Sequence, residues 1–111
     1  MFPKVLYHHR KNHLSVRKRL YVSIMSSDLH TLTATEVLAK IKAGESTVED
    51  YARSLLKRID ARDASVQAWA YLDSDYVIEQ AKVLDAIPTS ERGPLHGVAV
   101  AVKDVIYTKG K

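Results

Sequence analysis

The 111 residues contain no cysteine, which excludes disulfides and thiolate metal sites and tilts the setting toward a reducing, intracellular one. No apolar run approaches the ~18 residues that crossing a bilayer requires. Glycine (4) and proline (3) are scarce, and no linker, repeat or low-complexity tract divides the chain. The length suffices for one small domain. Five histidines are present, but His8, His9, His13 and His30 lie in polar N-terminal sequence and His96 in a turn. None forms a helical pair with a nearby carboxylate, so neither a metal nor another cofactor is expected.

Acids are missing from the first 25 residues, which hold Lys4, Arg10, Lys11, Arg17, Lys18 and Arg19. The net charge of +4 therefore belongs to this leader, because the remaining 11 basic residues face all 13 acidic ones. Residues 1–25 are read as a basic leader and 26–111 as the domain. Three explanations of the leader stay open. Met25 is the true start and the preceding residues an upstream extension; the leader is a mitochondrial transit peptide, since it is Arg-bearing and acid-free; or it is a functional basic arm. The cluster Arg17-Lys18-Arg19 alone is thin support for nucleic-acid binding. The expected compartment is cytoplasmic, or mitochondrial if the leader is a transit peptide.

Beyond Leu32 the chain is well punctuated. Thr33 and Glu36 fit a capping box, Leu32 and Val37 a hydrophobic staple, and Gly44 a helix stop. Ser46-Thr47-Val48-Glu49 repeats the capping pattern. Val48, Tyr51, Ala52, Leu55, Leu56 and Ile59 then recur at helical spacing, predicting an amphipathic helix to about Arg62. Val66 to Leu72 alternates like a short strand. Asp73 or Ser74 can cap a third helix with apolar positions Val77, Ile78, Ala81, Val83 and Leu84. The polar stretch Pro88 to Arg92 leads to Gly93-Pro94-Leu95-His96-Gly97, then the unbroken run Val98-Ala99-Val100-Ala101-Val102, then Lys103-Asp104. Such a run reads as a strand covered on both faces. The fold class expected is α/β, in the order helix, helix, strand, helix, strand, with a right-handed crossover if the strands share a sheet. Two strands alone can neither cover that run nor satisfy its backbone.

A lysine at the end of a buried strand either reaches water or works as a base with its charge suppressed by burial. The order Gly93-Pro94-Leu95-His96-Gly97, apolar run, Lys103-Asp104, Ile106-Tyr107-Thr108-Lys109-Gly110 resembles the lysine segment of the amidase signature family. Residues 28–92 are similar, less distinctively, to that family's N-terminal helical part. The resemblance implies a mixed sheet wrapped in helices and hydrolysis of carboxylic amide C–N bonds by a Ser–cisSer–Lys triad. In it the residue matching Lys103 accepts a proton through a bridging serine while a second serine attacks the carbonyl. Burial makes a lysine available as a neutral base for this, and a serine hydroxyl needs such a neighbour.

The chain departs from the family in its serines. Those at 15, 23, 26, 27, 46, 54, 65, 74 and 90 all precede the lysine, and none stands in a Gly-Ser-Ser-Gly context. Lys103 is thus the one catalytic residue expected here, with Asp104 as an orienting neighbour, in an incomplete amidase domain that is inactive alone. The expected partner of a completed site is a small-molecule amide. Two alternatives stand beside this reading: a non-catalytic interaction or regulatory piece, and a basic-arm binder of polyanions.

Overall fold

The computed structural model describes residues 26–108, so every expectation for the leader falls outside the described residues. Within them the chain builds a 3₁₀ helix Ser26–Thr31, then α1 (Ala34–Ala43), α2 (Val48–Val66) and α3 (Ser74–Asp85), and a second 3₁₀ helix Thr89–Glu91. α2 packs against both α3 and the first 3₁₀ helix.

Each helix starts where a side-chain oxygen meets a free amide. Thr33 stands extended, its hydroxyl accepting the Glu36 N–H at 3.3 Å while its own N–H donates to Glu36 Oε2 at 2.8 Å. Gly44 ends α1 at φ 70°, and the pair Gly44 N–H to Ile41 O and Glu45 N–H to Lys40 O forms a Schellman closure. α2 is capped by Thr47 with Asp50, one residue later than the Ser46–Glu49 frame expected from the sequence. Asp73, rather than Ser74, caps α3 by accepting the Tyr76 N–H at 2.9 Å.

The apolar stripes meet in one small core of Val37, Ile41, Val48, Ala52 and Ala81, with Leu32, Tyr51, Val77, Ile78 and Leu84 packed around it. Burying an aliphatic side chain as fully as Val37 contributes about 1.5–3 kcal/mol. Val83 faces outward instead, off the stripe of α3.

Neither expected strand forms among the described residues. α2 runs on to Val66, past Arg62, and Gln67 then turns the chain at φ 53°. The Asp63 carboxylate holds that turn, accepting the Ala68 N–H at 2.8 Å. Trp69 and Tyr71 follow in irregular, exposed chain. Val98–Val102 joins no ladder among the described residues, and Val100 is 80% exposed. A ladder needs backbone partners on its edges, and no described segment supplies them. The sequence pattern records a face to be covered; these residues do not cover it.

Candidate functional site

The site is assembled from α3 forward. Asp85, the last residue of α3, turns its carboxylate onto the start of α2, where Oδ1 accepts the Val48 N–H at 2.8 Å and Oδ2 the Glu49 N–H at 2.9 Å. Thr47 takes the next amide, that of Asp50, at 3.0 Å. The free donors at this helix N-terminus are thereby satisfied from two places. Arg92 folds back on the other side, its Nε donating to Ile87 O at 2.8 Å and its Nη2 to Asp85 O at 3.0 Å. The segment between α3 and Gly93 is clasped at both ends.

From that clasp the turn Gly93–Gly97 is laid on the core. His96 N–H donates to Gly93 O at 3.2 Å and Val98 N–H to Leu95 O at 3.1 Å. Gly97 is buried at φ 84°, and a Cβ there would lie 2.7 Å from Val48 Cγ2 and 3.2 Å from Ile41 Cδ1. Glycine is required twice over, by conformation and by space. Beside the turn lies a cleft of about 280 Å³ between α1 and the 3₁₀ segment, lined by Leu38, Lys42, Thr89, Arg92, Pro94 and His96 among others. His96 Nε2 and Ser46 Oγ are buried without a hydrogen-bond partner.

Beyond Val98 the chain leaves the core. Lys103 pairs with the adjacent Asp104, and their side chains are 71% and 59% exposed. A turn follows, with Ile106 N–H donating to Lys103 O at 2.9 Å. Among the described residues Lys103 stands in solvent, and no apolar neighbours surround it of the kind that favour a neutral lysine. Val102, Val105, Ile106 and Tyr107 are exposed with it.

Among the described residues Lys103 finds its hydrogen-bond partner in Asp104 and in no serine. Ser54, 4% exposed, lies on α2 and accepts the His30 N–H at 3.0 Å, with His30 Nδ1 3.1 Å from the same oxygen. A hydroxyl beside an imidazole invites comparison with an activated nucleophile, but this oxygen is enclosed and serves to fasten the first 3₁₀ helix to α2. Among the described residues no three His, Asp or Glu side chains cluster as a metal site. No described helix is long and apolar enough to cross a membrane.

Asp85 and Arg92 are absent from the residues that the sequence singles out. A signal is present in Asp85, since a carboxylate at a helix C-terminus opposes the macrodipole and needs a compensating donor elsewhere. Which donor it meets, 37 residues back, is not encoded locally.

Similarity to known proteins runs along the same stretch of chain. The family model described as Amidase matches residues 50–111. The A-subunit of glutamyl-tRNA(Gln) amidotransferase from Acidothermus cellulolyticus is 44% identical over 86 residues, covering 76% of this chain and 17% of the relative. Its namesake from Streptomyces coelicolor is 40% identical over 88 residues, with 76% and 17% covered. That of Lysinibacillus sphaericus is 38% identical over 78 residues, with 70% and 16% covered. The chain thus spans about a sixth of the length of these relatives. No solved structure matches it.

Proposed function

Because this chain belongs to the amidase family, we propose that it carries the lysine-bearing part of a site that cleaves carboxylic amide C–N bonds. The observation that carries the reading is the segment from Gly93 through Lys103-Asp104, lying within the matched stretch and starting from a turn seated on the helical core. On this reading Lys103 is the general base. It draws the proton from a hydroxyl as a serine oxygen attacks the amide carbonyl, and that proton passes to the departing nitrogen; water then attacks the acyl-serine, its proton returning to the serine oxygen as the carboxylic acid leaves. The serines come from sequence outside 26–108, and so do the strands that flank Val98–Val102. Those neighbours complete a mixed sheet and enclose Lys103.

The relatives' name supports a narrower substrate class, transfer of an amide nitrogen to a glutamyl group carried on tRNA, performed within a larger assembly. The compartment proposed is the cytoplasm, or the mitochondrion with residues 1–25 as a transit peptide. Exposure of the apolar stretch from Val100 to Tyr107 favours a second reading, a non-catalytic piece that donates this stretch to a partner's sheet.

A chimera separates the two. In the Acidothermus cellulolyticus relative, the 86 matched residues are replaced by those of this chain, and amide turnover is measured. The amidase reading expects turnover that falls about 10²–10⁴-fold on Lys103→Ala. Turnover indifferent to Lys103→Ala rejects the lysine as base.

A further inference from the structure

The route from α3 to Lys103 passes through one small contact. Val48 is the first residue of α2, its side chain is buried, and Gly97 rests directly on it. The first residue of a helix is also where fraying begins, because its amide has no acceptor within the helix. Here the acceptor is the Asp85 carboxylate. Arg92 holds the Asp85 carbonyl and the Ile87 carbonyl immediately before the chain enters Gly93. One residue therefore fixes the seat from below, and the other fixes the chain that is laid on it.

We infer that Asp85 and Arg92 are positioning residues for Lys103, acting through the Val48–Gly97 contact; this rests on the proposal that Lys103 is the base. Two features set them apart from a general stabilising network. Asp85 is spent on a helix terminus whose first residue, Val48, touches the lysine segment at Gly97, although its place at the end of α3 is the electrostatically poor one for an acid. Arg92 half-encircles the same end of α3 and lines the cleft beside His96, so the turn Gly93–Gly97 is bracketed on both flanks. Five residues separate Gly97 from the lysine, and beyond Gly97 none of them is buried. The point from which the chain sets out toward Lys103 is fixed at this seat.

The test uses the 111-residue chain itself. It lacks cysteine, so Lys57→Cys and Leu95→Cys, both at exposed positions, give two unique spin-label sites on α2 and on the turn. The inference expects a narrow label-to-label distance distribution in the parent. Asp85→Ala broadens it about twofold or more while the helical circular dichroism persists. Asp85→Asn, which keeps one acceptor oxygen, restores part of the narrowness, whereas Asp85→Leu does not. A merely structural role moves the unfolding midpoint and leaves the distance distribution of the folded chain untouched; that result overturns the inference. Should Asp85→Ala lose its helical signal, Gly97→Ala takes its place, since it disturbs the seat without removing a cap. An undisplaced Leu95 label in Gly97→Ala likewise overturns it. In the chimera the expected signature is a lowered kcat at unchanged KM for Asp85→Ala. An inactive chimera rejects the amidase reading alone, because the distance measurement needs no turnover.

Discussion

The Asp85 carboxylate closes the N-terminus of α2 from 37 residues away, taking the Val48 N–H at 2.8 Å on one oxygen. Its second oxygen takes the Glu49 N–H. This is a helix cap supplied by another helix, and it ties the start of α2 to the end of α3. Thr47 caps the same terminus locally, so the two can be weighed against each other. Thr47→Ala is expected to cost about 1 kcal/mol. Asp85→Ala, which removes two charge-assisted bonds, is expected to cost about 1.5–3 kcal/mol. Urea denaturation of the singles and the double tests their coupling, expected to exceed about 0.5 kcal/mol because both act on adjacent amides. Strict additivity would mean that the caps work independently.

Two glycines with positive φ should answer differently to alanine. Gly44 has open space around it, so Gly44→Ala meets only the conformational penalty, about 1 kcal/mol. Gly97→Ala adds a Cβ 2.7 Å from Val48 Cγ2 and is expected to cost about 2–4 kcal/mol in all. Equal midpoints for the two variants in a denaturant titration would dissociate Gly97 from the core.

The Glu36 carboxyl is held below its ordinary value of 4.5, first by the Thr33 backbone N–H and then by the Thr33 hydroxyl, with desolvation opposing and Lys40 assisting. A depressed carboxyl stabilises the fold above its unfolded pKa, and that contribution fades as pH falls through the lower folded value. Acidification below 4.5 should therefore loosen the first turn of α1. NMR titration of the Glu36 side chain should give a midpoint below that of an unstructured glutamate. Glu36→Gln should remove this component of the pH dependence.

The lysine proposal makes a demand on charge. In the chimera, Lys103→Arg is expected to be as inactive as Lys103→Ala, since a guanidinium stays protonated and cannot accept a proton. The 111-residue chain by itself is expected to release no ammonia from simple aliphatic or aromatic amides above background. Near-normal turnover in Lys103→Arg would return Lys103 to the role of a surface cation, the role its exposure beside Asp104 first suggests.

The helical part of the fold is legible in the sequence because its determinants are local. Thr33 with Glu36, Gly44, and the apolar spacing of Val48 and Ala52 each act within one or two turns, and each stands where the pattern puts it. The frame differs by one residue at Thr47, where Ser46 offers the same chemistry. Val66–Leu72 misleads because its alternation competes with helix continuation and the αL turn at Gln67, which the pattern does not mark. The composition of Val98–Val102 asks for partners, and a strand cannot form from one side of a ladder. At the candidate site, Lys103 is visible as a motif, while Asp85 and Arg92 act across the fold and leave only an ill-placed charge as a trace.

The amides between Ala99 and Lys103, which meet no backbone acceptor among the described residues, also bear on the order in which such a chain matures during synthesis. The helical unit draws its core from short loops and closes with a single cap reaching back 37 residues, so it can settle as soon as Arg92 clears the ribosome. The lysine stretch emerges after it, apolar and without an edge to join. In that interval it is the stretch of this region best suited to chaperone capture, and its own copies on neighbouring nascent chains are its nearest competitors for pairing.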